Sequence, residues 1–180
     1  RLIAQGISGP LGQPLIIDNR PPLLLGEIVA KAPPDGYTLY VDGATFWITP
    51  LMQKMQYDAV KDFSPITMAV NSPNILVVHP SVQAKSVKDL IALAKANPGQ
   101  INYASGGTGS SNHLAAELFK SMAGVNIVHI NYKGVGLAVS ALVGGEVQLM
   151  FANALASNPH IKSGRLRALA STTATPSALF

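Results

Sequence analysis

The residues best suited to chemistry lie in a glycine-rich stretch at positions 103–113, YASGGTGSSNH. It follows a short apolar run and leads into an amphipathic helix pattern. A glycine-rich turn entering a helix leaves backbone N–H groups without intrahelical partners, and the helix dipole adds positive charge there. The stretch therefore predicts a cradle for a carboxylate or phosphate, with Ser110 or Ser111 as the helix N-cap. A tight turn that needs glycine only for its backbone conformation is the open alternative.

Two nucleotide-binding motifs are excluded by their spacing. A Walker loop ends in Gly-Lys-Ser/Thr, whereas Gly109 is followed by Ser110, so the lysine that reaches the phosphates is missing. A dinucleotide fingerprint needs a third glycine at the position that Asn112 occupies. The stretch thus favours a small anion over a nucleotide.

An enzyme is the rival class of function. Ser110 and His113 are three residues apart at a helix start, and a serine hydrolase needs Ser, His and an acid within hydrogen-bond reach. However, no Gly-x-Ser-x-Gly elbow occurs in the sequence. The four histidines lie on separate predicted elements without metal-site spacing. The sequence therefore predicts no catalysis, no metal site and no cofactor.

Composition indicates a globular chain that binds small anions. Hydrophobic residues make up 48% of the 180 residues and charged residues 12%, which excludes a disordered chain. The net charge is +4, but the 13 Lys and Arg are scattered, so a nucleic-acid partner is not predicted. Cysteine is absent, which excludes disulfides and a thiolate nucleophile. No apolar run reaches the roughly 18 residues of a membrane span.

The elements that must position the glycine-rich stretch alternate between strands and helices. Strands are predicted at 15–18, 37–41, 66–70, 74–79, 101–104, 127–130, 147–151 and 166–170. Helices are predicted at 23–32, from Phe46 to Met55, at 86–96, 114–123, 138–143 and 158–163, with a weaker pattern at 1–8. This alternation predicts α/β architecture with mostly parallel sheets. The boundary between a loose first half and a regular second half falls near His79–Pro80.

Eight motifs in a fixed order resemble one known family. They are Asp-Asn-Arg-Pro at 18–21, APPDGYTL at 32–39, YDxxKDFSP at 57–65, SPNxLVVHP at 72–80, YASGGTGS at 103–110, Tyr-Lys-Gly at 132–134, GGEVQ at 144–148 and PHIKSGRLRALA at 159–170. Together they are similar to the extracytoplasmic solute receptors of tripartite tricarboxylate transporters, the Bug family. The resemblance covers nearly the whole chain.

The resemblance implies a two-lobed α/β periplasmic binding protein of type II without catalytic activity. It implies a small carboxylate as ligand, the membrane components of a tripartite tricarboxylate transporter as partners, and a periplasmic location. Residues 1–79 would form a partial first lobe and 80–168 the second lobe. Residues 169–180 would begin the return to the first lobe.

The departures from the family pattern also carry expectations. The strand and Pro-Gly-Gly-type loop that precede the first helix in the family are absent, and its Gly-Ala-Gly-Gly segment is replaced by Pro-Leu-Leu-Leu at 22–25. The first lobe is therefore expected to be incomplete. Ala152 stands where relatives often carry Asp, which disfavours an amino-acid ligand. A truncated relative that serves as an interaction module or no longer binds is the second reading, and self-association through uncovered strand edges is expected to be possible.

A ligand site between the lobes follows from these inferences. One carboxylate would be held by N–H and hydroxyl donors of Ser105, Gly106, Gly107, Thr108, Gly109 and Ser110. Ala44 and Thr45 would face them from the first lobe, with Phe46 or Trp47 as an apolar wall. The family pattern adds Tyr132 and Asn153 as donors. Structural alternatives stay open: Asp42 can cap its own turn, Trp47 can be core, residues 132–134 can be a strand-end turn, and Asn153 can be structural.

Overall fold

The computed structural model describes residues 2–174, apart from the side chains of Pro22 and Leu23. The helices are α1 (Leu2–Leu11), α2 (Pro22–Ala30), α3 (Ala44–Met52), α4 (Val87–Ala96), α5 (Ser111–Ala123), α6 (Val135–Val143) and α7 (Ala154–Lys162). The strands are β1 (Asn74–Val78), β2 (Asn102–Ser105), β3 (Val128–Asn131), β4 (Leu149–Asn153) and β5 (Arg167–Ser171). The last residues of the predicted segment 169–180 lie outside the described part.

Local capping signals set the ends of the helices in the second half. Ser86 begins α4 by accepting a hydrogen bond from the Asp89 N–H at 3.1 Å, which satisfies one of the free donors of the first turn. Ser110 does the same for α5, accepting from the His113 N–H. Gly124 ends α5 in the left-handed conformation with φ 60°, where glycine carries no side-chain penalty. Of the two serines predicted as the N-cap of α5, Ser110 is the one found.

All five strands form one sheet in the order β3-β2-β4-β1-β5. β2 runs parallel to β3 and β4, whereas β1 runs antiparallel to both β4 and β5. The prediction of a mostly parallel sheet holds for the direction of four strands and is wrong for β1. Hydrophobic patterning could not reveal this, because a strand covered on both faces has the same apolar sequence in either direction. We call residues 74–171, which contain this sheet, the sheet unit.

The sheet unit buries a core on each face of the sheet. Alternate residues of β1 point to opposite faces, so Leu76 and Val78 join one cluster while Ile75 and Val77 join the other. The first cluster packs against α4 and α5, and the second lies under α6 and α7. Because both faces are covered, the edge of the sheet is the place left for binding.

Three predicted strands are not formed. Residues 15–18, 37–41 and 66–70 make no strand pairs within the described chain, and Ile16, Val41 and Ile66 are exposed. Their apolar residues are typical of strands, but a strand also needs a neighbour to accept its backbone hydrogen bonds. No described residue supplies one.

Residues 2–73, which we call the first part, centre on an aromatic cluster. Phe46 of α3 is 7% exposed and contacts the rings of Tyr40, Trp47, Tyr57 and Phe63 at centroid distances of 4.8 to 5.4 Å. Phe46 is therefore a core residue, which leaves Trp47 as the one of the two predicted wall residues that is exposed. Among the described residues, none of the helices has the length and apolarity needed to cross a membrane.

Candidate carboxylate site

Three helices begin at the same edge of the sheet. β2, β3 and β4 run in one direction, and they are followed by α5, α6 and α7, whose N-caps are Ser110, Gly134 and Asn153. Each helix N-terminus presents free N–H groups and the positive end of its dipole. From the sequence, an anion-binding helix N-terminus was predicted for α5 alone. We call this edge, where three positive helix ends meet, the site edge.

Residues 105–110, the glycine turn, connect β2 to α5 and need glycine for two different reasons. Gly109 is buried with φ 79°, a backbone conformation that residues with a Cβ rarely adopt. At Gly106 the reason is space, because an added Cβ would lie 2.7 Å from Val135 Cγ2 and 2.8 Å from Val135 N. The Gly134 N–H also donates to the Gly106 carbonyl at 3.1 Å. The glycine turn is thus packed directly against the start of α6.

The protein's own acceptors occupy part of the predicted cradle. The Gly107 N–H donates to Ser105 Oγ at 3.3 Å, the Gly109 N–H to His113 Nδ1 at 3.2 Å, and the Ser110 N–H to the Gly107 carbonyl at 3.1 Å. The Thr108 N–H has no acceptor within the described residues, and Thr108 is exposed. The first N–H groups of α5 also lack intrahelical acceptors by their position. The free donors therefore lie at Thr108 and along the first turn of α5.

A polar network lies behind the glycine turn. The Ser105 side chain is fully buried, and its Oγ lies 2.7 Å from His129 Nε2. The His129 ring stacks on the rings of His113 and Tyr103, at centroid distances of 4.4 and 4.9 Å. The Tyr103 hydroxyl donates to Glu117 Oε1. These contacts hold the turn from its inner side.

The charges of this network are set by burial and by neighbouring hydrogen bonds. Burial, aided by the nearby His113, lowers the pKa of His129, which favours the neutral ring. Burial and the Glu117 carboxylate raise the pKa of Tyr103 well above its usual value. Burial alone would raise the pKa of Glu117, but hydrogen bonds from Lys120 and Tyr103 lower it. The network therefore places a neutral imidazole, not a cation, next to Ser105.

The geometry of Ser110 and His113 is not that of the serine hydrolase site raised as an alternative from the sequence. Ser110 Oγ accepts from the His113 backbone N–H at 3.3 Å, while the ring Nδ1 of His113 accepts from Gly109. Ser105 does lie against a histidine ring, but its hydroxyl is fully buried. In this geometry the serines of the turn act as a cap and a packing contact.

Tyr132 and Asn153 reach the site edge in different ways. The Tyr132 N–H donates to the Ser105 carbonyl at 3.0 Å, whereas its side chain packs against the core cluster under α6. Burial, with the charge of Glu146 next in importance, raises the pKa of Tyr132. Asn153 Oδ1 accepts from the Ala156 N–H at 2.8 Å and so caps α7. Asn153 therefore has a structural task at the edge where the sequence placed it as a donor.

From the first part, α3 faces the glycine turn. A Cβ built on Gly109 would lie 3.6 Å from Met52 Sδ, 3.7 Å from Thr49 Oγ1 and 3.8 Å from Ile48 Cγ2. Thr45 lies three and four residues before Ile48 and Thr49 and hence on the same helix face. Ala44 is the first residue of α3. The residues of α3 that lie beside Gly109 are Ile48, Thr49 and Met52, and the facing of the turn by Ala44 and Thr45 stays a prediction.

Asp42, just before α3, and Trp47, within α3, make contacts inside the first part. Asp42 accepts from the Tyr40 hydroxyl at 2.5 Å and from the Gly43 N–H at 2.7 Å, so it stabilises its own turn. Trp47 is half exposed and contacts Phe46 edge-on at 4.8 Å. Trp47 is the single tryptophan of the chain and therefore a natural probe of this region.

Sequence reasoning missed the asparagines that fix the site edge. Asn112 is 2% exposed, and its Nδ2 donates to the Phe151 carbonyl at 2.6 Å and to Asn74 Oδ1 at 3.2 Å. The Asn74 Nδ2 donates to the Ser111 carbonyl. These bonds join α5 to β4 and β1 across 37 to 39 residues of sequence. No local pattern signals a contact of that separation.

Comparison with known proteins gives one consistent family. The sequence model of a family described as tripartite tricarboxylate transporter family receptor matches residues 1–180. BugT of Bordetella pertussis is 38% identical over 176 residues, which cover 94% of this chain and 54% of BugT. A UPF0065 protein of Pseudomonas sp. strain P51 is 33% identical over 173 residues, covering 94% of this chain and 52% of that protein. The chain spans about half the length of the curated relatives it matches.

Solved structures of similar fold contain dicarboxylates. A protein of R. palustris solved with adipate has a TM-score of 0.92 and 38% identity, over 97% of this chain and 60% of that protein. MatC of Rhodopseudomonas palustris, solved with malate, has a TM-score of 0.86 and 26% identity, over 97% and 61%. The periplasmic binding protein BugD has a TM-score of 0.88 and 28% identity, over 97% and 60%. The predicted α/β fold of periplasmic binding proteins is confirmed by these likenesses.

Proposed function

Because the chain belongs to the family of tripartite tricarboxylate transporter receptors, we propose that it captures a small carboxylate between its first part and its sheet unit. The observation that carries this proposal is the meeting of three helix N-termini at the site edge, with α3 opposite the glycine turn. Helix N-termini favour a bound anion through their free N–H groups and dipoles. The family is one of solute-binding receptors rather than enzymes.

We propose a dicarboxylate as the ligand. The three helix ends are spread along one edge, so they offer more than one position for negative charge. The N–H and the hydroxyl of Thr108 and the first turn of α5 would hold one carboxylate, with Thr45 donating from α3. Asn153 at the start of α7 would lie toward the other. Two structural relatives contain dicarboxylates, adipate and malate, and Ala152 leaves no acid at that position for an amine of the ligand.

Neutral donors suit a ligand that has to be released. A bidentate arginine would form stronger, charge-assisted bonds and slow the dissociation of the ligand. Donors of the kind that the glycine turn offers bind a carboxylate through N–H and hydroxyl groups alone. This is the behaviour expected of a receptor that hands its ligand to a transporter.

The remaining parts of the proposal concern the whole receptor. The division into lobes at residues 1–79, 80–168 and 169–180 stays a proposal. In the structure, β1 (Asn74–Val78) pairs with β4 and β5. The proposed location is the periplasm, and the proposed partners are the membrane components of a tripartite tricarboxylate transporter. Relatives of this family and fold support both.

The test measures the binding of a panel of carboxylic acids that includes adipate, malate and citrate. Calorimetry and the fluorescence emission of Trp47 are the two readouts. We expect saturable binding of at least one dicarboxylate. Thr108→Ala should weaken that binding about tenfold, because a hydrogen bond to a charged group is lost. Ser163→Ala is the matched control, since it removes an exposed hydroxyl just after the opposite end of α7. Its affinity should equal that of the wild type.

The outcomes separate the competing interpretations. Failure of the wild-type protein to bind any of the acids would contradict the receptor proposal and favour the interpretation as a non-binding relative. Saturable binding that is unaffected by Thr108→Ala would keep the receptor but remove the Thr108 hydroxyl from its site. Turnover of an ester substrate would instead support the enzyme.

A further inference from the structure

A hydroxyl group of α3 is buried beside Gly109. Thr49 is 5% exposed, and its Oγ1 lies near Gly109 together with Ile48 Cγ2 and Met52 Sδ. A Cβ added at position 109 would lie 3.6 to 3.8 Å from these atoms, which is ordinary van der Waals contact. The need for glycine at 109 therefore comes from its φ of 79°, and α3 lies within one side-chain layer of the glycine turn.

The buried hydroxyl of Thr49 has no hydrogen-bond partner within the described residues. A threonine inside a helix commonly donates to the carbonyl four residues earlier, which would be that of Thr45, but this bond is not formed. A polar group buried without a partner loses its hydration and gains nothing in return. The group thus opposes the arrangement in which it is buried.

The elements beside this hydroxyl pack mainly within their own parts of the molecule. α3 packs with α2 and with the aromatic cluster around Phe46, and its main helix partner is α2. The glycine turn belongs to the sheet unit through β2 and α5. Movement of α3 away from Gly109 would open to water the side of the Thr49 hydroxyl that faces the glycine turn. The cost of its burial would therefore be smaller when the cleft is open.

We propose that the Thr49 hydroxyl sets the affinity of the cleft by opposing its closure. This rests on the proposed receptor function, because a ligand held from both sides binds only the closed arrangement. The observed dissociation constant is the intrinsic one divided by the fraction of closed protein. A group that disfavours closure weakens binding by the same factor and speeds release.

The test uses two pairs of side chains that differ only in the hydroxyl. The first pair is the wild type and Thr49→Val, in which the hydroxyl is removed and the branched shape is kept. The second pair is Thr49→Ser and Thr49→Ala, which both lack the methyl group of threonine. We expect the Val variant to bind adipate or malate about tenfold more tightly than wild type, and the Ala variant more tightly than the Ser variant by a similar factor. Dissociation should slow correspondingly. The ligand-free Trp47 emission should shift toward that of the bound form.

Each contrary result overturns the inference in a recognisable way. A Val variant with a higher melting temperature but unchanged affinity and unchanged Trp47 emission would mean that the hydroxyl is a static defect of packing. Weaker binding by Val, and by Ala relative to Ser, would mean that the hydroxyl gains a partner in the bound form, from the ligand or from water. If the Val variant does not fold, the Ala and Ser pair decides. Failure of the wild-type protein to bind any acid would overturn the receptor function itself and this inference with it.

Discussion

Asn153 shows at the scale of one residue how structure and binding share a side chain. Its Oδ1 accepts from the Ala156 N–H and so begins α7, while the residue lies at the edge where three helices present their positive ends. Asparagine and aspartate are equally good N-caps, but they differ in charge. This allows the capping role to be separated from a role in binding an anion.

Asn153→Asp should therefore keep the fold and weaken the binding of the ligand. The aspartate would still accept from Ala156 and would interact favourably with the dipole of α7, so the free energy of unfolding should not fall. Its negative charge should lower the affinity for a dicarboxylate about tenfold at low salt, and less at high salt. Calorimetric titration and denaturant unfolding measure both quantities. Asn126→Asp is the control, because Asn126 lies just before β3 and so beyond the opposite edge of the sheet. It should leave the affinity unchanged. Equal losses of affinity in the two variants would contradict a role of Asn153 in the site.

At this scale the sequence predicts what depends on near neighbours. Ser110 as N-cap and the glycine of the turn follow from local backbone requirements, and both are found. The acceptors that occupy part of the cradle, Ser105 Oγ and His113 Nδ1, depend on side-chain rotamers, which no spacing rule fixes. The Thr49 hydroxyl lies beside Gly109, which is 60 residues away in sequence. That proximity could not be inferred before the fold was known.

At the scale of elements, the absence of a side chain at Gly106 allows the glycine turn to lie directly against the start of α6. A Cβ there would come within 3.1 Å of three atoms of Val135, two of them backbone. Real Cβ atoms do not approach backbone that closely, so α6 or the turn would have to shift. The relative placement of two of the three helix N-termini therefore rests on this glycine.

Gly106→Ala should lower the free energy of unfolding by about 1–3 kcal/mol, as overpacked cores do, and should weaken ligand binding by displacing the start of α6. Gly136→Ala is the matched control on the same helix. Position 136 is exposed and an added Cβ there meets nothing within 4 Å, so alanine should stabilise the helix by up to about 1 kcal/mol. Denaturant titration of both variants measures the difference. A neutral effect at position 106 would show that the turn relaxes freely.

The elements of the second half were predictable because each carries its own start and stop signal. All five strands of the sheet and the four helices between them occur where the patterns place them, within a few residues. The three strands predicted at 15–18, 37–41 and 66–70 fail for a different reason. An apolar run forms a strand only if a neighbouring strand pairs with it, and the direction of β1 likewise depends on long-range pairing.

At the scale of the whole molecule, the two parts differ in how their backbone is held. The backbone of the sheet unit is held by strand pairs and helices, whereas long segments of the first part between its helices are exposed and unpaired. Local opening requires little free energy where backbone hydrogen bonds are few. Hydrogen exchange should therefore be slowest in β1, β2 and β4 and fastest at 13–20, 33–42 and 64–71. Comparable protection in both groups would contradict this division.

The path of the backbone at Asn74 has a mechanical consequence. The chain passes from the first part into the sheet unit there, and Asn74 is held firmly: the Thr172 N–H donates to the Asn74 carbonyl at 3.0 Å and the Asn74 N–H to Thr172 Oγ1 at 3.1 Å. Its side chain also donates to the Ser111 carbonyl. Bending of the chain between the two parts therefore has to take place before this residue, in the exposed segment 64–72. The first part can then swing about a fixed anchor while the register of the sheet stays unchanged.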